Sequence, residues 1–167
     1  MKGDKLYFYV SGRKGVPGSR SSGVCATGLA TLRRDGFASM DAGSAQGTLT
    51  TRPVRFSGKH LFVNVAAAAG ELRVEALDER GELIGLFSRA NCEPVRADAT
   101  RVPVRWKGVS DLSALAGKPV KFRFHLTKGC LYAFWVSPDA SGASHGYMAA
   151  GGPGFTGLTD TVGSEAK

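Results

Sequence analysis

Long apolar runs are missing from this 167-residue chain. None approaches the roughly 20 residues that a bilayer-spanning helix requires, so no membrane segment is expected. The N-terminal MKGDKLYFYVSGR holds an apolar stretch of about six residues, short of the roughly 7–15 of a secretory core, and reads as no signal peptide. Cysteine is sparse as well. Cys25, Cys92 and Cys130 stand at long, unequal spacings that form neither a zinc pattern nor a Cys-x-x-Cys redox pair. One disulfide among the three leaves every pairing open.

Motifs for chemistry are equally scarce. His60, His125 and His145 join no Gly-x-Ser-x-Gly or His-Glu-x-x-His motif, and no close cluster with Cys or Asp suggests a metal. The Gly-rich SGRKGVPGSRSSG lacks the Gly-Lys-Ser/Thr ending of a phosphate loop and reads as linker. Glu71 and Glu75 share a strand face but stand about 13 Å apart along it, too far for a direct carboxyl pair. No catalytic residue, cofactor or metal is therefore assigned. The net charge of +8 comes without a Lys/Arg block. Arg73, Arg101, Arg105, Lys121 and Arg123 alternate along strands as solvated faces do, so a nucleic-acid partner is not expected.

What the chain has in quantity is period two. PVKFRFHLT at 119–127 puts Val120, Phe122, Phe124 and Leu126 on one face and Lys121, Arg123, His125 and Thr127 on the other. ELRVEAL at 71–77 and TRVPVRW at 100–106 alternate in the same way, with Trp106 inward and Pro103 suited to a sheet edge. Further strands are expected at 28–34, 37–42, 47–56, 60–66, 82–87 and 130–136. Asp35-Gly36 and Lys128-Gly129 read as two-residue hairpin turns, and Asp78–Gly81 as a longer one. A single helical turn is expected within SDLSALAG at 110–117, capped by Ser110 or Asp111, with Leu112 and Leu115 facing the core. The fold class that follows is all-β: an antiparallel β-sandwich, jelly-roll-like, preceded by one orphan N-terminal strand.

The two hairpins supply the candidate surfaces. A turn at Lys128-Gly129 pairs His125 with Tyr132 and Arg123 with Phe134, setting cationic donors beside aromatic rings, and assigns Trp135 to the core. Such a mixture suits a sugar, with rings on the pyranose faces and donors on the hydroxyls. It equally suits packing on a neighbouring domain, and the two readings stay open. A turn at Asp35-Gly36 sends Arg33 and Arg34 to opposite faces, which leaves each as a weaker candidate for an interdomain contact.

The spelling of several segments carries a resemblance. DKLYFYVSGR at 4–13 resembles the final blade strand of five-bladed β-propeller proteins related to glycoside hydrolase families 32 and 43. GLATLRRDGFASM at 28–40, GTLTTRPVRFSGKHLFVNV at 47–65 and DLSALAGKPVKFRFHLTKGCLYAFWVSPD at 111–139 resemble the β-sandwich that follows such propellers. The likeness extends to about residue 139, and it implies a C-terminal piece of a secreted or cell-envelope protein. The organisation it implies is a residual propeller strand at 1–10, a linker at 11–26, a sandwich at 27–139 and a flexible tail at 140–167. The family's catalytic acids lie in the propeller and have no counterpart here. The expected role is an accessory domain that packs on the propeller of its parent protein and touches carbohydrate. The alternatives are a glycosidase in its own right and a purely structural interaction module.

Overall fold

The computed structural model describes residues 3–15, 18, 23–146 and 159–160, and those residues form an antiparallel β-sandwich with a separate two-stranded arm. The arm pairs β1 (Lys5–Lys14) with β2 (Val24–Arg33). Seven strands make the sandwich: β3 (Met40–Ala42), β4 (Gly47–Thr50), β5 (His60–Ala66), β6 (Glu71–Leu77), β7 (Asp98–Pro103), β8 (Lys121–Thr127) and β9 (Gly129–Ser137). One sheet runs β3-β9-β5-β7 and the other β4-β8-β6.

From β3 onward each strand lies in the sheet opposite to its predecessor. Alternating apolar residues explain the arrangement, because a strand with one apolar face finds cover only across the sandwich. Leu72, Val74 and Ala76 of β6 and Phe122, Phe124 and Leu126 of β8 face Leu61, Val63 and Val65 of β5, and all are buried. Trp106 closes one end, its ring edge-on to Phe87 and its Nε1 donating to the Val74 carbonyl. Pro103 ends β7, an edge strand, where its missing N–H breaks no ladder on the open side. The turn at 78–81 and the single turn at Ser113–Leu115 form as their spelling suggests. The Asp111 carboxylate accepts from the Ser113 N–H, and Leu112 and Leu115 are buried.

Several connections differ from the sequence-based expectation. The two-residue hairpin at Lys128-Gly129 is instead an arch: β8 pairs β4 and β6, whereas β9 pairs β3 and β5. Lys128 has φ 46°, and a Cβ on Gly129 would stand 2.6 Å from the Ala66 carbonyl oxygen, so the crossing needs a glycine. The expected hairpin between 28–34 and 37–42 is absent too, since β2 pairs backwards with β1 and β3 joins β9. Asp35 still takes the left-handed φ of 50° expected of it. Residues 82–87 form no strand; a bridge from Leu83 to Leu77 holds them, with the Ile84 N–H donating to the Ala76 carbonyl and the Ala76 N–H to the Phe87 carbonyl. Trp135 leaves the core. A bulge between Leu131 and Ala133 spends one extra residue against β5, which turns Phe134 inward and stacks Trp135 on Phe62 outside.

The strand at 5–10 is not an orphan, and 11–26 is not wholly linker. β1 runs through Lys14, and ten consecutive pairs join it to β2, from Lys5–Arg33 to Lys14–Val24. Part of the tail is ordered as well. Trp135 Nε1 donates to the Gly142 carbonyl, Ser137 Oγ donates to the Ala143 carbonyl, and Ser144 Oγ donates to Asp160. Gly142, at φ 80°, lies so close to Phe62 that a Cβ would stand 2.7 Å from the ring. Residues 147–158 and 161–167 of the expected tail lie outside the described residues.

Candidate functional site

The four residues expected to form one surface lie in three places. Arg123 and His125 share the outer face of the three-stranded sheet, because β8 exposes its odd-numbered residues there. Arg123 donates to Glu75 at 3.0 Å and to the Thr50 hydroxyl at 3.1 Å. His125 Nδ1 lies 3.2 Å from the Gln46 amide nitrogen, and Gln46 in turn accepts from Arg89. His125 Nε2 sits 3.3 Å from Glu75 Oε1 but out of hydrogen-bond alignment. Phe134 is in the core, its ring centroid 5.0 Å from that of Phe124 and 6.1 Å from that of Phe122. Tyr132 lies beneath Arg33, whose guanidinium carbon is 4.9 Å from the ring centroid. The arch between β8 and β9 separates the first pair from the other two, and the bulge after Leu131 separates Tyr132 from Phe134.

Arg33 and Arg34 acquire the larger role, at the root of the arm. Arg33 Nε donates to Asn64 Oδ1 at 2.6 Å, Nη1 to Asp98 at 2.6 Å and Nη2 to the Val65 carbonyl at 3.0 Å. Asn64 is 1% exposed and returns its amide to the Arg34 carbonyl at 2.6 Å. Arg34 reaches Asp160, itself buried, at 2.7 Å. On the other strand of the arm, Asp4 accepts from the Thr100 hydroxyl. Both strands are thus tied to β5 and β7 by charge-assisted bonds, which are about twice as strong as neutral ones. Asn64, Thr100 and Asp160 were not singled out by the sequence reading, and Asp98 stood there only as one of many surface carboxylates. Asn64 alone carried a signal, as the one amide inside the apolar run LFVNVAAAA.

Beyond its root the arm is bare. Every described position of β1 except Leu6 is exposed; Tyr9 is 81% exposed, and Tyr7, Phe8, Val10 and Leu29 are also open to solvent. One face carries Leu6, Phe8, Val10, Gly12, Ala26, Gly28, Ala30 and Leu32. The other carries Tyr7, Tyr9, Ser11, Thr27, Leu29 and Thr31 between basic ends. Phe37 packs edge-on against Phe8, 6.5 Å between centroids.

A cleft of about 240 Å³ lies at the far end of β5, lined by Lys59, His60, Glu93, Arg105, Ser110 and Asp111 over Val104 and Leu112. Asp111 is held below the usual carboxylate range by the Ser113 N–H and hydroxyl. Cys25, Cys92 and Cys130 are all free thiols. Burial pushes the Cys92 thiol up, and the Asp41 carboxylate followed by burial does the same to Cys130. Burial, followed by Cys130, raises the Tyr132 hydroxyl. Among the described residues no group of three or more His, Cys, Asp and Glu side chains is placed to hold a metal ion.

The carboxylates set an acid limit on the fold. Glu71 is lowered by bonds from Arg73 and then Arg96, and Asp139 by Ser141 and then His145. Because the folded values lie below the unfolded ones, the stabilisation is complete above the ordinary carboxylate range and lost as pH falls through the lowered values. Urea midpoints should therefore hold level above about pH 5 and drop below it. Glu71→Gln should flatten that drop by under about 1 kcal/mol; an unchanged slope would assign the loss to other groups.

No protein-family model, no curated protein and no solved structure matches this chain.

Proposed function

We propose that this chain is the non-catalytic accessory β-sandwich of a glycoside-hydrolase-like protein, and that its arm seats it on the catalytic β-propeller. The observation that carries the reading is the bare arm. A two-stranded ribbon is at best marginally stable in water, and strands with apolar residues on both faces belong inside a larger layered structure. A propeller blade is such a setting: its strands are paired along their edges and covered by the adjacent blades. The spelling of DKLYFYVSGR, which resembles a final blade strand, covers β1 of that arm. The arm root supports the reading, since Arg33 and Arg34 fix the ribbon to the sandwich through buried Asn64 and Asp160. A secreted or cell-envelope setting follows from the parent family. Glycan contact by Arg123, His125, Tyr132 and Phe134 as one surface is left out, because the fold distributes them over three places.

The test is capture by a family 43-type propeller from which the final strand pair of the last blade has been deleted. The chain should bind it with a Kd of about 1 μM or tighter, a free energy near −8 kcal/mol. The intact propeller, whose own strands fill the place, should bind at least about a hundredfold more weakly, a difference near 2.7 kcal/mol. Equal binding to both would remove the reading. Turnover of chromogenic glycosides by the chain alone, abolished by one carboxylate substitution, would replace it with the enzyme alternative.

A further inference from the structure

The ladder within the arm has a direction. The Arg34 N–H donates to the Asp4 carbonyl at 2.8 Å, which makes Asp4 and Arg34 a hydrogen-bonded pair. Antiparallel pairs alternate, so Leu6–Leu32, Phe8–Ala30, Val10–Gly28 and Gly12–Ala26 also exchange their bonds. The backbone groups of Lys5, Tyr7, Tyr9, Ser11 and Arg13 therefore point away from β2, into the open. On β2 the outward set is Cys25, Thr27, Leu29, Thr31 and Arg33.

The two open edges are not equivalent. β1 carries the bulk, with Tyr7, Phe8, Tyr9 and Val10 in succession, whereas opposite them stand Thr31, Ala30, Leu29 and Gly28. Large side chains gain from cross-strand neighbours on both sides, and β2 offers mostly small ones. A composition of this kind suits β1 to the middle of a sheet and β2 to its margin. Nor is the β1 edge defended. It has no proline and no bulge over ten continuous pairs, and its charges, Lys5, Arg13 and Lys14, are confined to the ends.

We infer that the open edge of β1 accepts a third strand from a separate β-sheet domain, apolar at its centre and acidic at its ends. The acidic ends answer Lys5 at one extremity and Arg13 and Lys14 at the other. A second copy of this chain fits poorly. Antiparallel pairing of two β1 edges about Tyr9 would set Lys5 against Arg13 twice, and like charges directly opposite destabilise a ladder. The inference rests on the arm being a docking element, and it does not require that the partner be a propeller.

The probe is a ten-residue peptide of alternating valine and threonine with glutamates at both ends, added to the full chain. Amide exchange is read by NMR. Millimolar peptide should slow exchange at Tyr7, Tyr9 and Ser11 by at least about tenfold, equivalent to 1.4 kcal/mol, and leave Thr27, Leu29 and Thr31 unchanged. The same peptide with lysine ends should have no such effect. Tyr9→Pro removes an outward N–H only, so the arm should persist, seen as unchanged protection at Phe8 and Val10, while the peptide effect disappears. Tyr9→Ser, which keeps the N–H, and Leu29→Pro, which blocks the other edge, should both retain it. Slowing confined to the β2 amides, or none at all, overturns the inference. Peptide protection without propeller capture would instead uphold strand addition and remove the propeller as partner.

Discussion

Phe122→Ala should lower the stability of the sandwich by about 3–5 kcal/mol. Phe122 has no exposed surface, and its ring stacks on Phe56 at 5.8 Å and 22°. It meets Phe134, which belongs to the opposite sheet, edge-on at 6.1 Å, and Phe124 on its own strand at 6.5 Å. The three aromatic rings around that site cannot close over the gap without bending β8 or β9, so most of the cavity would remain. A domain of this size has about 5–15 kcal/mol in total, and the loss takes a large fraction of it. Urea denaturation followed by tryptophan emission reads the effect, since Trp106 is buried against Phe87 and Trp135 is stacked on Phe62. Phe122→Leu, which leaves a smaller void, should lose clearly less. A loss under about 1.5 kcal/mol for the alanine would mean that the sheets close up, against the rigidity argued for the aromatic cluster.

Arg33→Met should cost about 2–3 kcal/mol and loosen the arm before it unfolds the sandwich. Methionine keeps the aliphatic stem but leaves Asn64 Oδ1, at a position 1% exposed, without its 2.6 Å donor. An unsatisfied buried acceptor costs about 1–3 kcal/mol. The pair with Asp98 adds little, because that carboxylate is 59% exposed and screened. The cation over the Tyr132 ring adds about 0.5–1 kcal/mol. Limited proteolysis is the discriminating measurement. Cleavage within the arm should accelerate in the variant while the sandwich resists, whereas uniform acceleration would show that the root is part of the global fold. Asp98→Asn should leave both readouts nearly unchanged.

The elements that could be read from the sequence are those whose reasons are local. Alternation placed the buried faces of β6 and β8, Pro103 marked an edge, and Asp111 marked the turn before Leu112 and Leu115. The connections could not be read in that way. Lys128-Gly129 has the same left-handed spelling whether it returns a strand within one sheet or carries it across to the other. What decides is the apolar face that β9 finds next, between β3 and β5, and those residues lie far away in the chain. The bulge after Leu131 is a second nonlocal decision, and it exchanges the roles that alternation assigns to Phe134 and Trp135. The arm was hidden for a compositional reason: Ser11 and Gly12 open a Gly/Ser-rich stretch that reads as linker, although β1 continues through these two residues to Lys14. At the arm root, Arg33 and Arg34 were visible as candidates, but the groups that receive them are brought there only by folding.

The strand order has a consequence for how the chain is made. β8 is the middle strand of its sheet, and β9 separates β3 from β5 in the other, yet these are the last two strands to be synthesised. On the ribosome β5 and β7 find one another, and β1 and β2 pair early, while β3, β4 and β6 must wait without partners. The β4-β8-β6 sheet cannot close until Thr127 has been added and has cleared the exit tunnel, nor the β3-β9-β5-β7 sheet until Ser137 has. At about 5–20 residues per second, the interval between β3 and β9 leaves several seconds in which apolar strands stand uncovered. A chain assembled in this order depends on its final strands for a core that most of its earlier ones already spell.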